Sequence, residues 1–248
     1  MKVLLTNDDG IDSPGIEALY DGLSAQHEVW ILAPDGERSG MSHYITLREP
    51  MKFRRVADRR FVSSGSPADC VILGLLSALD FCPDVVLSGI NLGPNLGSDI
   101  VFSGTAAAAR QAAFMGVPGI ALSLDGFTPP FHFEPLLRLL REQLTEFVSR
   151  WEQGYFLNIN SPNLSDPEMP VEVTSPCVRV YHDDLAEFST PIGDKYFFMN
   201  GKPVETDLVP GTDWYAVSHG AISLSAIQLN PVSHEHAKAY EQLLLARR

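Results

Sequence analysis

Two adjacent carboxylates, Asp8 and Asp9, stand between an amide and a glycine in Asn7-Asp8-Asp9-Gly10, close to the start of the chain. Paired hard oxygen donors suit Mg²⁺ or Mn²⁺. Neighbouring residues of an extended strand face opposite ways, so the two side chains can share one ion only where the backbone turns. Gly10 permits that turn. A second segment with chemical potential is Ser103-Gly104-Thr105-Ala106, which reads as a helix start. Free backbone N–H groups and the positive end of the helix dipole favour an anion there, and two hydroxyls add donors. Each segment also has a plainer meaning: a polar turn before a helix, and ordinary capping by Ser103. Together on one edge they suit a divalent cation beside a phosphate.

The elements that must position these residues are legible from pattern. Lys2–Thr6 is a short buried strand, and Ser13-Pro14 opens a helix with Ser13 as cap. Glu28–Ala33, Asp84–Ser88, Gly119–Ser123 and Tyr155–Ile159 are apolar runs of the kind buried in a parallel sheet. Helices are expected from Ser66 to about Leu79, over Thr105–Met115 and over Glu134–Trp151. Short strands are expected at Tyr44–Leu47, Met51–Val56 and Arg60–Val62, and a long loop over Gly89–Gly104. The alternation to about residue 162 predicts a three-layer, Rossmann-like α/β fold with a mostly parallel sheet. Beyond it come strand candidates at Val171–Tyr181, Lys195–Met199 and Ala221–Leu229, a short helix at Thr212–Ser218, and a terminal helix at Ser233–Arg248. One domain is expected over residues 1–248: a parallel core (1–162) and a C-terminal β-rich oligomerisation elaboration (163–248). Ala237, Tyr240, Leu243, Leu244 and Leu245 give the terminal helix an apolar face.

Composition narrows the function. The chain has 248 residues, 45% of them hydrophobic, enough for one sizeable core. Its net charge of −13 opposes a broad nucleic-acid-binding surface. No apolar run reaches bilayer-spanning length, and the opening Met-Lys-Val-Leu-Leu reads as a first strand rather than a signal peptide. Cys70, Cys82 and Cys177 leave an odd one out and lack metal-ligand spacing, which points to a reducing, cytoplasmic setting. Standard signatures are missing: no Walker A sequence, no G-x-G-x-x-G, no G-x-S-x-G elbow and no H-E-x-x-H. His234 and His236 read as a solvated helix face, and Asp183-Asp184 as a solvated turn. A haloacid-dehalogenase-type phosphatase would need D-x-D, whereas Asp8 is followed directly by Asp9 and then by Gly10.

The ordered set of segments resembles the SurE family of stationary-phase survival proteins, metal-dependent 5′/3′-nucleotidases. It comprises Leu5-Thr6-Asn7-Asp8-Asp9-Gly10, Ala33-Pro34 with Arg38-Ser39-Gly40, Gly65-Ser66-Pro67-Ala68-Asp69-Cys70-Val71, and Ser88-Gly89-Ile90-Asn91-Leu92-Gly93 with Asn95-Leu96-Gly97. Ser103-Gly104-Thr105-Ala106, Asn158-Ile159-Asn160-Ser161-Pro162 and Thr212-Asp213-Trp214-Tyr215-Ala216-Val217 complete it. The family usually has Thr where this chain has Ser66, a swap that keeps the capping hydroxyl. The resemblance implies that Asp8, Asp9, Ser39 and Asn91 bind one divalent metal ion per subunit, Mg²⁺ or Mn²⁺. It places Asn95, Ser103, Gly104 and Thr105 around the phosphate. The implied reaction is hydrolysis of nucleoside 5′- and 3′-monophosphates, with short-chain polyphosphate as a further substrate. Asp8 or Asp9 would also be the carboxylate that accepts the proton of the attacking water. A homodimer or homotetramer is implied, because family members exchange C-terminal elements. The alternative is a non-catalytic nucleotide-binding regulatory module in which the acidic pair is structural.

Overall fold

The computed structural model describes residues 1–203, 207–230 and 234–245. Its centre is a nine-stranded sheet whose middle strands are all parallel. Strand β1 (Lys2–Thr6) pairs with β2 (Glu28–Pro34) on one side and β5 (Val85–Leu92) on the other. From β2 the sheet continues to β4 (Arg60–Ser63) and the edge strand β3 (Phe53–Ala57). From β5 it continues through β6 (Gly119–Asp125) and β7 (Tyr155–Pro162). The chain therefore leaves β1 in one direction and returns to its other side. The crevice between β1 and β5 is the topological switch point, where ligands bind in open α/β sheets.

Alternation along β1 explains the layers. Val3 and Leu5 face one core, with Ile16, Leu19 and Leu23 of α1 (Pro14–Leu23) and Leu136, Leu140 and Leu144 of α4 (Glu134–Arg150). Leu4 faces the other, with Cys70 and Val71 of α2 (Pro67–Leu73) and Ala108 and Ala112 of α3 (Gly104–Phe114). Ala106 to Ala109, Ala112 and Ala113 are all fully buried, so α3 lies close against the sheet because its side chains are small. The caps expected at Ser13, Ser66 and Ser103 are all formed, and Ser66 with Asp69 makes a reciprocal capping box.

Four expectations need correction. Tyr44–Leu47 is not a strand; this loop is instead held by buried Asp69, which accepts from the Thr46 amide (3.0 Å) and hydroxyl (2.7 Å). Gly89–Leu92 is not loop but a continuation of β5. The register moves from Ser88↔Ala121 to Asn91↔Ser123, so one extra residue is accommodated as a bulge. Such bulges re-aim a side chain beside a site. The turn expected at Asp183-Asp184 is instead part of a strand. The Val171–Tyr181 segment breaks into β8 (Val171–Val173) and the start of β9 (Tyr181–Ser189), which pairs with β10 (Lys195–Pro203) in a separate hairpin. Pro176 cannot donate to a ladder.

After the hairpin come α5 (Asp213–Ser218), β11 (Ile222–Gln228) and α6 (His234–Leu245). β11 runs antiparallel to β7 and extends the main sheet, with β8 beside it. The Ser233 cap and residues 246–248 lie outside the described residues, as do the side chains of His234 and His236.

Candidate active site

The expected site residues converge on the carboxyl edge at the switch point. Asn7 is fully buried and closes the turn after β1: its Nδ2 donates to the Gly10 carbonyl (2.8 Å), and its Oδ1 accepts from the Gly10 amide (3.2 Å). Gly10 has φ +98°, which only glycine adopts freely. The turn brings Asp8 and Asp9 to one locality. The Arg38 amide donates to the Asp8 carbonyl (2.6 Å), which ties the loop after β2, with Ser39, to the same place. Asp8, Ser39, Asn91, Asn95 and Ser103 line one cavity of about 930 Å³.

Asp8 lies against the start of α3. A Cβ added to Gly104 would stand 3.0 Å from Asp8 Oδ2, so glycine is what lets the carboxylate come this close. The Thr105 hydroxyl donates to Asp8 Oδ1 at 2.5 Å. Thr105 is thus not an open phosphate donor, as the helix-start pattern suggests; its proton orients a carboxylate. The helix start already has an anion near it, the side chain of Asp8. Ser103 differs. Its Oγ accepts from the Ala106 amide (3.0 Å), which leaves its own proton available to the cavity.

Burial raises the Asp8 pKa, while Thr105 and the amides of Thr105 and Gly104 pull it back. Asp9 is pushed up to about 6, first by burial, then by the neighbouring charge of Asp8. Two desolvated carboxylates side by side disfavour joint ionisation, and a cation between them would reverse both effects. The donor set fits one. Asp9 Oδ2 is buried with no hydrogen-bond partner. Asn91 donates through Nδ2 to the Gly93 carbonyl (2.8 Å), which turns its amide with Oδ1 unoccupied by that bond. Ser39 donates its proton to Glu37 (3.0 Å) and keeps lone pairs. Among the described residues no group of three or more His, Cys, Asp or Glu could hold a metal ion. A cation here would rest on two carboxylates and neutral oxygens, the hard set that suits Mg²⁺ or Mn²⁺.

Several contributors were not singled out from sequence. Asn160 clamps both peptide groups of Asn95: its Oδ1 accepts from the Asn95 amide (2.8 Å), and its Nδ2 donates to the Asn95 carbonyl (3.1 Å). Asn158 donates to the same carbonyl (2.8 Å). Fully buried Asp213 accepts from the amides of Gly97 (2.7 Å) and Cys177 (2.9 Å), fastening the Asn95 loop to the C-terminal segment. That segment also supplies Arg179, Tyr181 and Met199 to the cavity wall, although the C-terminal third reads in sequence as an oligomerisation element alone. Asn158, Asn160 and Asp213 lie within motif segments and so left a signal. Arg179 and Tyr181 left none.

Fold and site together define a class: a doubly wound α/β protein with an acidic, oxygen-rich site at its switch point. Residues 3–183 match the family model of Survival protein SurE. The chain is 37% identical over 246 residues to 5′-nucleotidase SurE of Citrifermentans bemidjiense, covering 97% of this chain and 99% of that protein. It is 38% identical over 247 residues to 5′-nucleotidase SurE of Vibrio campbellii, covering 98% and 95%. The crystal structure of the SurE protein from Aquifex aeolicus superimposes with a TM-score of 0.85 at 34% identity, covering 98% of this chain and 99% of that one. This chain belongs to the SurE family.

Proposed function

We propose that this protein is a divalent-metal-dependent phosphomonoesterase of the cytoplasm that hydrolyses nucleoside 5′- and 3′-monophosphates to nucleoside and phosphate. Short-chain polyphosphate is proposed as a further substrate. The observation that carries the reading is that Asp8 and Ser103 line one cavity while Oδ2 of the adjacent Asp9 is buried and unpartnered. The relatives' name, 5′-nucleotidase SurE, supports it.

Asp8, Asp9, Ser39 and Asn91 would hold the cation. When bound, it would polarise the phosphoryl group and lower the pKa of a water. Ser103 donates to a phosphoryl oxygen as negative charge shifts there, and Asn95, held by Asn158 and Asn160, orients the ester. Thr105 and Asn7 position Asp8. The buried, hydrogen-bonded setting of Asp8 disfavours its use as a covalent nucleophile, because its oxygen is already engaged by Thr105. The apolar residues exposed on the C-terminal hairpin and on α6 support a homodimer or homotetramer in which a second copy covers them.

The test is phosphate release from a panel of 5′- and 3′-mononucleotides and tripolyphosphate, with Mg²⁺ or Mn²⁺ and with EDTA. Turnover that EDTA removes and cation restores is expected. Nucleotide binding without turnover at any metal would establish the regulatory-module alternative instead.

A further inference from the structure

The cavity lining mixes two kinds of side chain. Asp8, Ser39, Asn91, Asn95 and Ser103 are polar. Phe102, Phe127, Tyr181 and Met199 are aromatic or apolar. Single exposed apolar side chains are ordinary on protein surfaces, but three aromatic rings converging on one cavity are not. Phe127 is 74% exposed and Phe102 60% exposed, so neither ring is there to fill a core.

Two of these residues are tied down. The Phe102 amide donates to the Asp99 carbonyl (2.9 Å), and its own carbonyl accepts from the Ser42 amide (3.0 Å). The Tyr181 hydroxyl donates to the Asp99 carboxylate at 2.7 Å, and Arg179 donates to the same carboxylate at 2.6 Å. The Arg179 guanidinium in turn lies 5.4 Å from the centre of the Trp214 ring. Asp99 lines the same cavity, and its charge is already matched by Arg179. The lining thus includes three aromatic side chains and a thioether, and the charged groups of Asp99 and Arg179 are engaged with each other.

We propose that Phe102, Phe127, Tyr181 and Met199 form a stacking platform for the base of the nucleotide, recognising its flat face rather than its hydrogen-bonding edge. The proposal rests on the phosphomonoesterase reading and adds the specificity determinant: an aromatic base carried by the sugar whose hydroxyl leaves the phosphate. Stacking is tolerant of base identity because every base has a π-face, whereas a site built on edge hydrogen bonds rejects a mismatched group by ~10⁴–10⁵-fold. The C-terminal hairpin then belongs to the substrate site as well as to any interface, since Tyr181 begins β9 and Met199 lies in β10.

The decisive measurement compares kcat/KM for adenosine 5′-monophosphate with kcat/KM for ribose 5-phosphate, which keeps phosphate and sugar but lacks the base. Phe127→Ala should lower the nucleotide-to-ribose-phosphate ratio about tenfold, in the range of a lost base–aromatic stack. Phe127→Trp should restore it. Adenosine, which has no phosphate, should inhibit competitively, and its inhibition constant should rise by the same factor in Phe127→Ala. Inosine 5′-monophosphate, altered only at the base edge, should be turned over within a few-fold of the adenosine compound. An unchanged ratio, an equal fall for both substrates or strong discrimination against inosine 5′-monophosphate would each overturn the proposal. If wild type releases phosphate from neither compound, the phosphomonoesterase reading fails; adenosine binding lost in Phe127→Ala would still uphold the platform, and adenosine binding unchanged there would overturn it.

Discussion

The carboxyl edge of the parallel core and the β9–β10 hairpin treat their side chains in opposite ways. At the core edge, polar groups are buried and mostly partnered: Asn7 closes a turn, Thr105 engages Asp8, and Asn160 holds the Asn95 backbone. On the hairpin, apolar groups are exposed on both faces. Phe188 and Phe198 meet edge-to-face on one side, with Tyr196 opposite Phe188, while Leu185 and Met199 pair on the other. A two-stranded ribbon is marginal alone in water, and exposed rings on both faces do not improve it. The core edge therefore holds its polar groups in place through buried hydrogen bonds, whereas the hairpin needs something laid against it.

The largest expected effect would break the core side of that contrast. Asp8→Asn and Asp9→Asn should each cut phosphate release at saturating Mg²⁺ by ~10³-fold or more, since a bound metal supplies several kcal/mol of transition-state stabilisation. Unchanged far-ultraviolet circular dichroism would show that the fold survives. Near-wild-type turnover in either variant would remove the metal assignment. Next, Ser103→Ala should cost ~10²-fold in kcat, as for loss of one oxyanion-type donor. Wild-type kinetics would mean that the phosphate sits elsewhere.

Thr105→Val keeps the shape but loses the proton given to Asp8. It should weaken metal affinity or activity ~10-fold, the scale of a lost ligand-orienting partner, and Thr105→Ser should restore it. Titration calorimetry with Mn²⁺ reads the affinity directly. On the hairpin side, removing residues 233–248 should yield a smaller assembly by light scattering while metal binding persists. An unchanged mass would mean that the terminal helix packs on its own chain.

The smallest effect concerns pH. Burial, and then the charge of Asp8, push the Asp9 carboxyl up to about 6, above its unfolded value near 4. A raised acid contributes stability that is fully present below the unfolded pKa and is lost as pH rises through the folded one. In EDTA, the contribution of Asp9 to Tm should therefore decrease between pH 4 and pH 7. Asp9→Asn should flatten the slope, and added Mg²⁺ should counter the loss at pH 7. An Asp9→Asn variant whose Tm follows the same pH dependence as wild type in EDTA would contradict the placement of Asp9.

Sequence alone determined the parallel core, because a strand buried on both faces must be apolar throughout and a helix start must satisfy its amides. Those demands are local, and Val29-Trp30-Ile31-Leu32, Ser13-Pro14 and the Ser66–Asp69 box record them directly. Asp8 and Asp9 were visible for the same reason: both lie in one short turn. The tertiary structure decided the rest. Whether Thr105 faces a phosphate or Asp8 depends on how closely α3 approaches β1, a distance set by Gly104 and by alanine packing far along the helix. The β5 bulge that aims Asn91 arises in its pairing with β6. Phe102, Phe127 and Tyr181 come from three segments with no shared pattern, and only the fold brings their rings to one cavity. Residues that act through long-range contact leave no periodicity, since their spacing along the chain is unrelated to their spacing in the molecule.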